Sequence, residues 1–236
     1  MGGRGGNSHL ASSGFLGKRY GIPSWSAAFK PSADWMNNRA KWAAFVSGYR
    51  LSPDMENTIY EHANGYVATG HSFMINARLY DPGNSGKGVE EIFGNDPSSL
   101  KTVKALDYAI SSHVSKKDAY FVRLESSDAI QADFGFTDRE MIDMYDPKLI
   151  DSFIGRSSYQ PAFTSISAAE SKNVFGSRDF KRYIYVPKGT NIFGTRNATE
   201  SEFILGRDLQ TQIMKVAKGP DGKLSIYEMV IGYKKK

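Results

Sequence analysis

Pro161-Ala162-Phe163-Thr164-Ser165-Ile166-Ser167, Arg182-Tyr183-Ile184-Tyr185-Val186 and Glu202-Phe203-Ile204-Leu205 decide the fold. Each is a short run rich in β-branched and aromatic residues, and turn residues stand between them, as at Pro187-Lys188-Gly189 and Gly194 to Asn197. Two more runs follow, Gln212–Ala217 and Leu224–Tyr233, divided by Gly219-Pro220-Asp221-Gly222. The sequence therefore predicts strands at 162–166, 182–186, 202–205, 212–217 and 224–233.

Upstream the periodicity changes from two to between three and four. Asp96-Pro97 opens a segment whose apolar positions are Leu100, Val103, Leu106 and Ile110, the stripe of an amphipathic helix. Ser52-Pro53 starts another helix through Ile59 and Tyr60, with proline in its first turn. Phe73 to Leu79 is a third, stopped at Asp81-Pro82-Gly83. Asp34 caps a fourth, running through Trp35, Ala40, Trp42 and Phe45 with Gly48 as its stop. Ala119–Leu124 reads as a strand and Asp138 to about Tyr145 as a helix. Helices first and strands afterwards, with no βαβ alternation, predict an α+β domain rather than a doubly wound sheet. Residues 1–20, rich in Gly and Ser and lacking periodicity, read as a flexible leader, and 21–236 as a single domain.

Composition narrows the chemistry. The chain of 236 residues has no cysteine, which excludes disulfides and thiolate nucleophiles. His62 and His71 are too widely spaced to share a helix face, so no metal centre is expected. No apolar run reaches the roughly 20 residues that span a bilayer, and residues 1–13 lack the apolar core of a secretory signal. The formal charge of +5 favours anionic partners, but without an aromatic-basic cluster a nucleic acid is not expected. Gly83 to Gly88 lacks phosphate-loop spacing and reads as a surface turn.

Three places carry charge or hydroxyls where a plain strand would not. Arg123, inside Tyr120-Phe121-Val122-Arg123-Leu124, needs a partner or a cleft, because an unpaired buried charge is costly. It is either a structural ion pair or a guanidinium aimed at a phosphate. Ser165 and Ser167 share one strand face, opposite Thr164 and Ile166. Glu200 and Glu202, two apart at a strand entry, face the same side. Two carboxylates that close raise the pKa of one member, a property suited to acid–base work.

The order Arg, Ser-x-Ser, Glu-x-Glu resembles the arginine-type mono-ADP-ribosyltransferases, in particular the enzymatic components of clostridial binary actin toxins and the vegetative insecticidal toxins. Phe175-Gly176-Ser177-Arg178, then Tyr183 to Thr190, then Glu200 to Leu205 follow that family from its nicotinamide-phosphate loop to its catalytic strand. Ile75-Asn76-Ala77-Arg78-Leu79 is similar to the helix that closes over the cofactor. The resemblance covers roughly 34–236 and departs from the family at Leu124, Ile166 and Ser72.

What the resemblance implies is specific. The fold would be N-terminal helices on a core of two small β-sheets with NAD+ in the cleft between them, and no metal. Arg123, followed by Leu124 in place of the family's usual residue, would contact the NAD+ phosphates or adenosine ribose, and Arg178 would clamp the pyrophosphate. Phe175 would stack on nicotinamide, and Asn76 would lie on the closing helix. Ser165 would hold the catalytic glutamate, supported by Ser167. Glu202 would stabilise positive charge on the ribose, and Glu200 would deprotonate an acceptor guanidinium. The partner would be a target protein, actin or another host protein, modified by a monomeric toxin or effector of bacterial or phage origin. An NAD+ glycohydrolase would use the same site with water as acceptor, and a catalytically silent NAD-binding or phage-associated module is the alternative of another class.

Overall fold

A computed structural model describes residues 45–48, 50–60, 65–67, 70–168, 178–195, 202–219 and 222–233. The upstream part is helical where the spacing predicts it: α1 (Pro53–Tyr60), α2 (His71–Tyr80) and α4 (Pro97–Ser111), with a short α3 (Val89–Phe93) that the sequence reading omits. The cause is plainest in α4. The Asp96 carboxylate accepts from the Ser99 amide, Pro97 stands in the first turn, and Val103, Leu106 and Ile110 are buried along one stripe.

The helix read from Asp34 lies outside the described residues except at Phe45, and Gly48 has a different task from the helix stop assigned to it. Val46–Gly48 is strand β1, antiparallel to β2 (His113–Ser115), with Gly48 opposite His113. A Cβ on Gly48 would lie 2.2 Å from His113 Cδ2. That ring cannot move aside easily, since its Nδ1 bonds the Ala109 carbonyl at 2.5 Å and it packs edge-on against Phe193. Gly48→Ala is therefore expected to cost about 1–3 kcal/mol through overpacking. Thermal melting checks this, and a wild-type melt would mean that the two strands separate without penalty.

The remaining strands are β3 (Ala119–Glu125), β4 (Ser157–Gln160), β5 (Thr164–Ser167), β6 (Phe180–Val186), β7 (Ile192–Gly194), β8 (Glu202–Leu205), β9 (Leu209–Lys218) and β10 (Leu224–Tyr233). They form one mixed sheet in the order β4-β9-β10-β6-β3-β5-β8-β7, antiparallel throughout except for the β6–β10 pair. Among the described residues its two halves, β4-β9-β10-β6-β3 and β5-β8-β7, are joined in the ladder by Val122 opposite Ser167. The α+β class expected from the sequence is the one observed, with the two expected small sheets continuous as halves of one mixed sheet.

Each half is sealed by its own apolar layer. Ile75 and Leu106 of the helices pack with Phe163 and Ile204, while Phe121, Ile166, Ile184 and Phe203 fill the space between the halves. Two further helices, α5 (Ser127–Phe134) and α6 (Asp138–Asp143), lie over the other half, where Ile130 and Phe134 meet Phe180 and Ile226.

Candidate active site

The seam between β3 and β5 is where the sequence-predicted residues meet. Beyond the pair Val122–Ser167, the Ser165 carbonyl accepts a hydrogen bond from Arg123 Nη1 at 2.6 Å, so a side chain spans the seam there. The Ser165 hydroxyl turns the other way and donates to Glu202 Oε1 at 2.5 Å. This follows from register: β5 and β8 run antiparallel with Ser167 opposite Glu202, which places Ser165 diagonally across on the same face.

Glu202 opens β8 and is only 6% exposed. Thr195, just past β7, donates its hydroxyl to Glu202 Oε2 at 3.1 Å and its amide to the Glu202 carbonyl at 3.0 Å. Both carboxylate oxygens are thus fixed by hydroxyl groups from neighbouring strands. Sequence reasoning passed over Thr195, because its position is set by the β7–β8 pairing and by no motif.

Glu125 was also missed, although the signal was present: it stands two residues after Arg123 on the same strand and so on the same face. It accepts from Arg123 Nε through one oxygen and from Arg178 Nη1 at 3.4 Å through the other. Arg178 Nη1 also donates to the Leu124 carbonyl at 2.8 Å, so Leu124 enters the site through its backbone while its side chain is buried. The Glu125 side chain is 4% exposed, whereas those of Arg123 and Arg178 are 28% and 27% exposed. The carboxylate is buried, and the two arginine side chains that bond it are partly exposed. Burial works against the Arg123 charge, but Glu125 outweighs it and holds the guanidinium above its usual range.

Asn76, on α2, donates through Nδ2 to the Tyr66 hydroxyl at 2.9 Å and to the Phe163 carbonyl at 3.3 Å. Its Oδ1 is buried and accepts no hydrogen bond among the described residues. Tyr66, unremarked in the sequence, packs edge-on against Phe163 and lies within the electrostatic reach of Glu202 and Arg123. Burial pushes its phenol up, so it remains neutral. Phe175 and Glu200 lie outside the described residues. Of the predicted residues that are described, Arg123, Leu124, Ser165, Ser167, Arg178 and Glu202 converge on the seam, and α2 brings Asn76 to the start of β5.

One serine joins the fixed Glu202 carboxylate to Arg123, and Glu125 joins Arg123 to Arg178. Residues 41–229 match the model of the ADP-ribosyltransferase exoenzyme family. No curated protein sequence matches the chain. Among solved structures, C3stau2 from S. aureus, solved with NAD, is 20% identical with a TM-score of 0.65, covering 88% of this chain and all of that one. The C3 exoenzyme of Clostridium limosum is 16% identical with a TM-score of 0.65, covering 88% and 99%. The enzymatic component C2-I of the Clostridium botulinum C2 toxin is 14% identical with a TM-score of 0.59, covering 96% of this chain and 48% of that one. At these identities the structural likeness is one of fold. The family match extends over most of the chain, which belongs to the ADP-ribosyltransferase exoenzymes, the toxin enzymes that transfer ADP-ribose from NAD.

Proposed function

We propose that the protein breaks the bond between nicotinamide and ribose in NAD+ and transfers the ADP-ribose to an arginine of a host-cell protein, with actin among the candidates. The observation that carries this reading is Glu202, whose carboxylate is fixed by Ser165 and Thr195 next to the seam where Arg123 and Arg178 reach the surface.

The residues fit the substrate. Arg123 and Arg178, whose side chains are partly exposed, suit a diphosphate, because planar N–H forks match phosphate oxygens. The electron pair of the broken bond leaves with nicotinamide, which departs neutral. The ribose carbon is left with oxocarbenium character, and a preorganised carboxylate lowers the energy of that charge. An acceptor guanidinium then forms the new C–N bond and must lose a proton. Glu200, assigned to the acceptor by the resemblance in the Glu-x-Glu pattern, takes it.

Incubation with labelled NAD+ and a host lysate is expected to give labelled protein bands, and nicotinamide release without protein label would replace transfer by hydrolysis. Glu200→Gln should lower transfer by about 100-fold, the scale of removing a positioned base, and leave most hydrolysis intact. Equal loss of both activities would remove the acceptor role from Glu200.

A further inference from the structure

Arg182 is fully buried, and β6 places it directly opposite Arg123 of β3. Like charges facing each other across a strand pair repel. Here Arg182 is met by two carboxylates: Nε and Nη2 bond Glu228 at 2.5 and 2.8 Å, and Nη1 bonds Asp133 at 2.5 Å. Such a cluster is weak evidence for stability, since well-packed apolar residues do as well or better in the same space. Its ends suggest another purpose.

From Asp133 the chain of hydrogen bonds continues to Tyr80, whose hydroxyl donates to Oδ1 at 2.9 Å. Tyr80 ends α2 one turn after Asn76, on the same helix face. From Glu228 it continues the other way: Thr211 donates to Oε2 at 2.5 Å, and the Thr211 and Ser158 hydroxyls are 2.6 Å apart. Gln160 then bonds Ser158 at 3.3 Å and receives the Thr164 hydroxyl at 2.5 Å. Thr164 precedes Ser165, which fixes Glu202. Apart from Tyr80, every member is buried.

We infer that this polar chain is a positioning device, in which Tyr80 sets the helix that carries Asn76 and Thr164 sets the strand that aims Glu202 through Ser165. The inference rests on the proposed NAD+ site. It predicts a division of effects between the two ends, which a purely structural chain would not give. The end at Tyr80 governs substrate binding, and the end at Thr164 governs the alignment of the charge that acts in the bond-breaking step.

Tyr80→Phe and Thr164→Val each delete one terminal hydroxyl and leave the ion cluster paired. Tyr80→Phe should raise KM for NAD+ about fivefold with little change in kcat, the scale of one net hydrogen bond. Thr164→Val should lower kcat about tenfold with little change in KM, as misalignment does, and Thr164→Ser should restore it. Hydrogen exchange over residues 71–80 should quicken in Tyr80→Phe, and this is measurable without turnover. Lowered melting temperatures with unchanged kcat, KM and exchange would overturn the inference. Absence of NAD+ cleavage by the wild-type protein would instead overturn the proposed function, while exchange over residues 71–80 still decides whether Tyr80 holds its helix.

Discussion

Glu202→Ala is expected to lower NAD+ cleavage on the order of 10³-fold, the scale seen when a preorganised electrostatic group is removed, with transfer and hydrolysis falling together. Both reactions share the step in which the ribose carbon becomes cationic, and only the acceptor differs afterwards. Glu202→Gln is the sharper variant. It keeps the shape of the side chain: its one amide oxygen can accept from Ser165 or Thr195 while its NH2 donates to the other hydroxyl oxygen, so the strand entry should keep its geometry. What it lacks is the charge. If electrostatics carries the rate, Gln should be nearly as inactive as Ala while NAD+ binding, read by calorimetry, changes little, because Arg123 and Arg178 are untouched. Retention of a tenth or more of the rate by Glu202→Gln would assign the residue to ribose hydrogen bonding and sink its electrostatic role.

How much of this was legible in the sequence depends on what buried each segment. Glu202–Leu205 and Leu224–Tyr233 have the predicted ends, because β-rich runs there stop at turn residues. Ser157–Gln160 went unread for the opposite reason. Its buried residues are Ser158 and Gln160, which alternate as a strand requires but are polar, since they serve the hydrogen-bond chain rather than an apolar layer. Residues 127–134 carried helix signals that were overlooked: Ser126 accepts from the Ala129 amide at 3.4 Å, and Gly135 ends the helix in the left-handed region at φ 62°. The site shows the same limit. Arg123 and Arg182 are both guanidiniums within apolar strands, and the strand sequences do not say which one reaches a cleft. That is settled by Asp133 and Glu228, 49 and 46 residues away from Arg182, which seal it completely.

Arg182→Ala should accordingly be the most destabilising single change, by about 3–5 kcal/mol, because it strands two buried carboxylates that shared one cation. For a chain of this length that is a fall in melting temperature of roughly 10 °C or more. The dependence on pH tests the cause. In the native cluster burial already raises the Asp133 carboxyl, against the pull of Arg182 and Tyr80. Burial pulls the Arg182 guanidinium down, but Glu228 and Asp133 hold it well above its usual range. Without Arg182, the Asp133 carboxyl loses the cation that opposes burial, and its folded pKa lies further above its unfolded one. The folded variant then binds more protons than the unfolded chain between those values, and its stability falls as pH rises through the folded value. The variant should therefore recover relative to wild type as pH is lowered from about 8 towards about 5. Melting curves that stay parallel over that range would show that the penalty is lost packing and not stranded charge. Replacing the whole cluster, as Arg182→Met with Asp133→Leu and Glu228→Leu, separates stability from function. Apolar side chains of similar volume should restore the melting temperature, yet Tyr80 and Thr211 lose their acceptors, so KM and kcat should both remain impaired. A triple variant that regains stability and full activity together would reduce the cluster to packing.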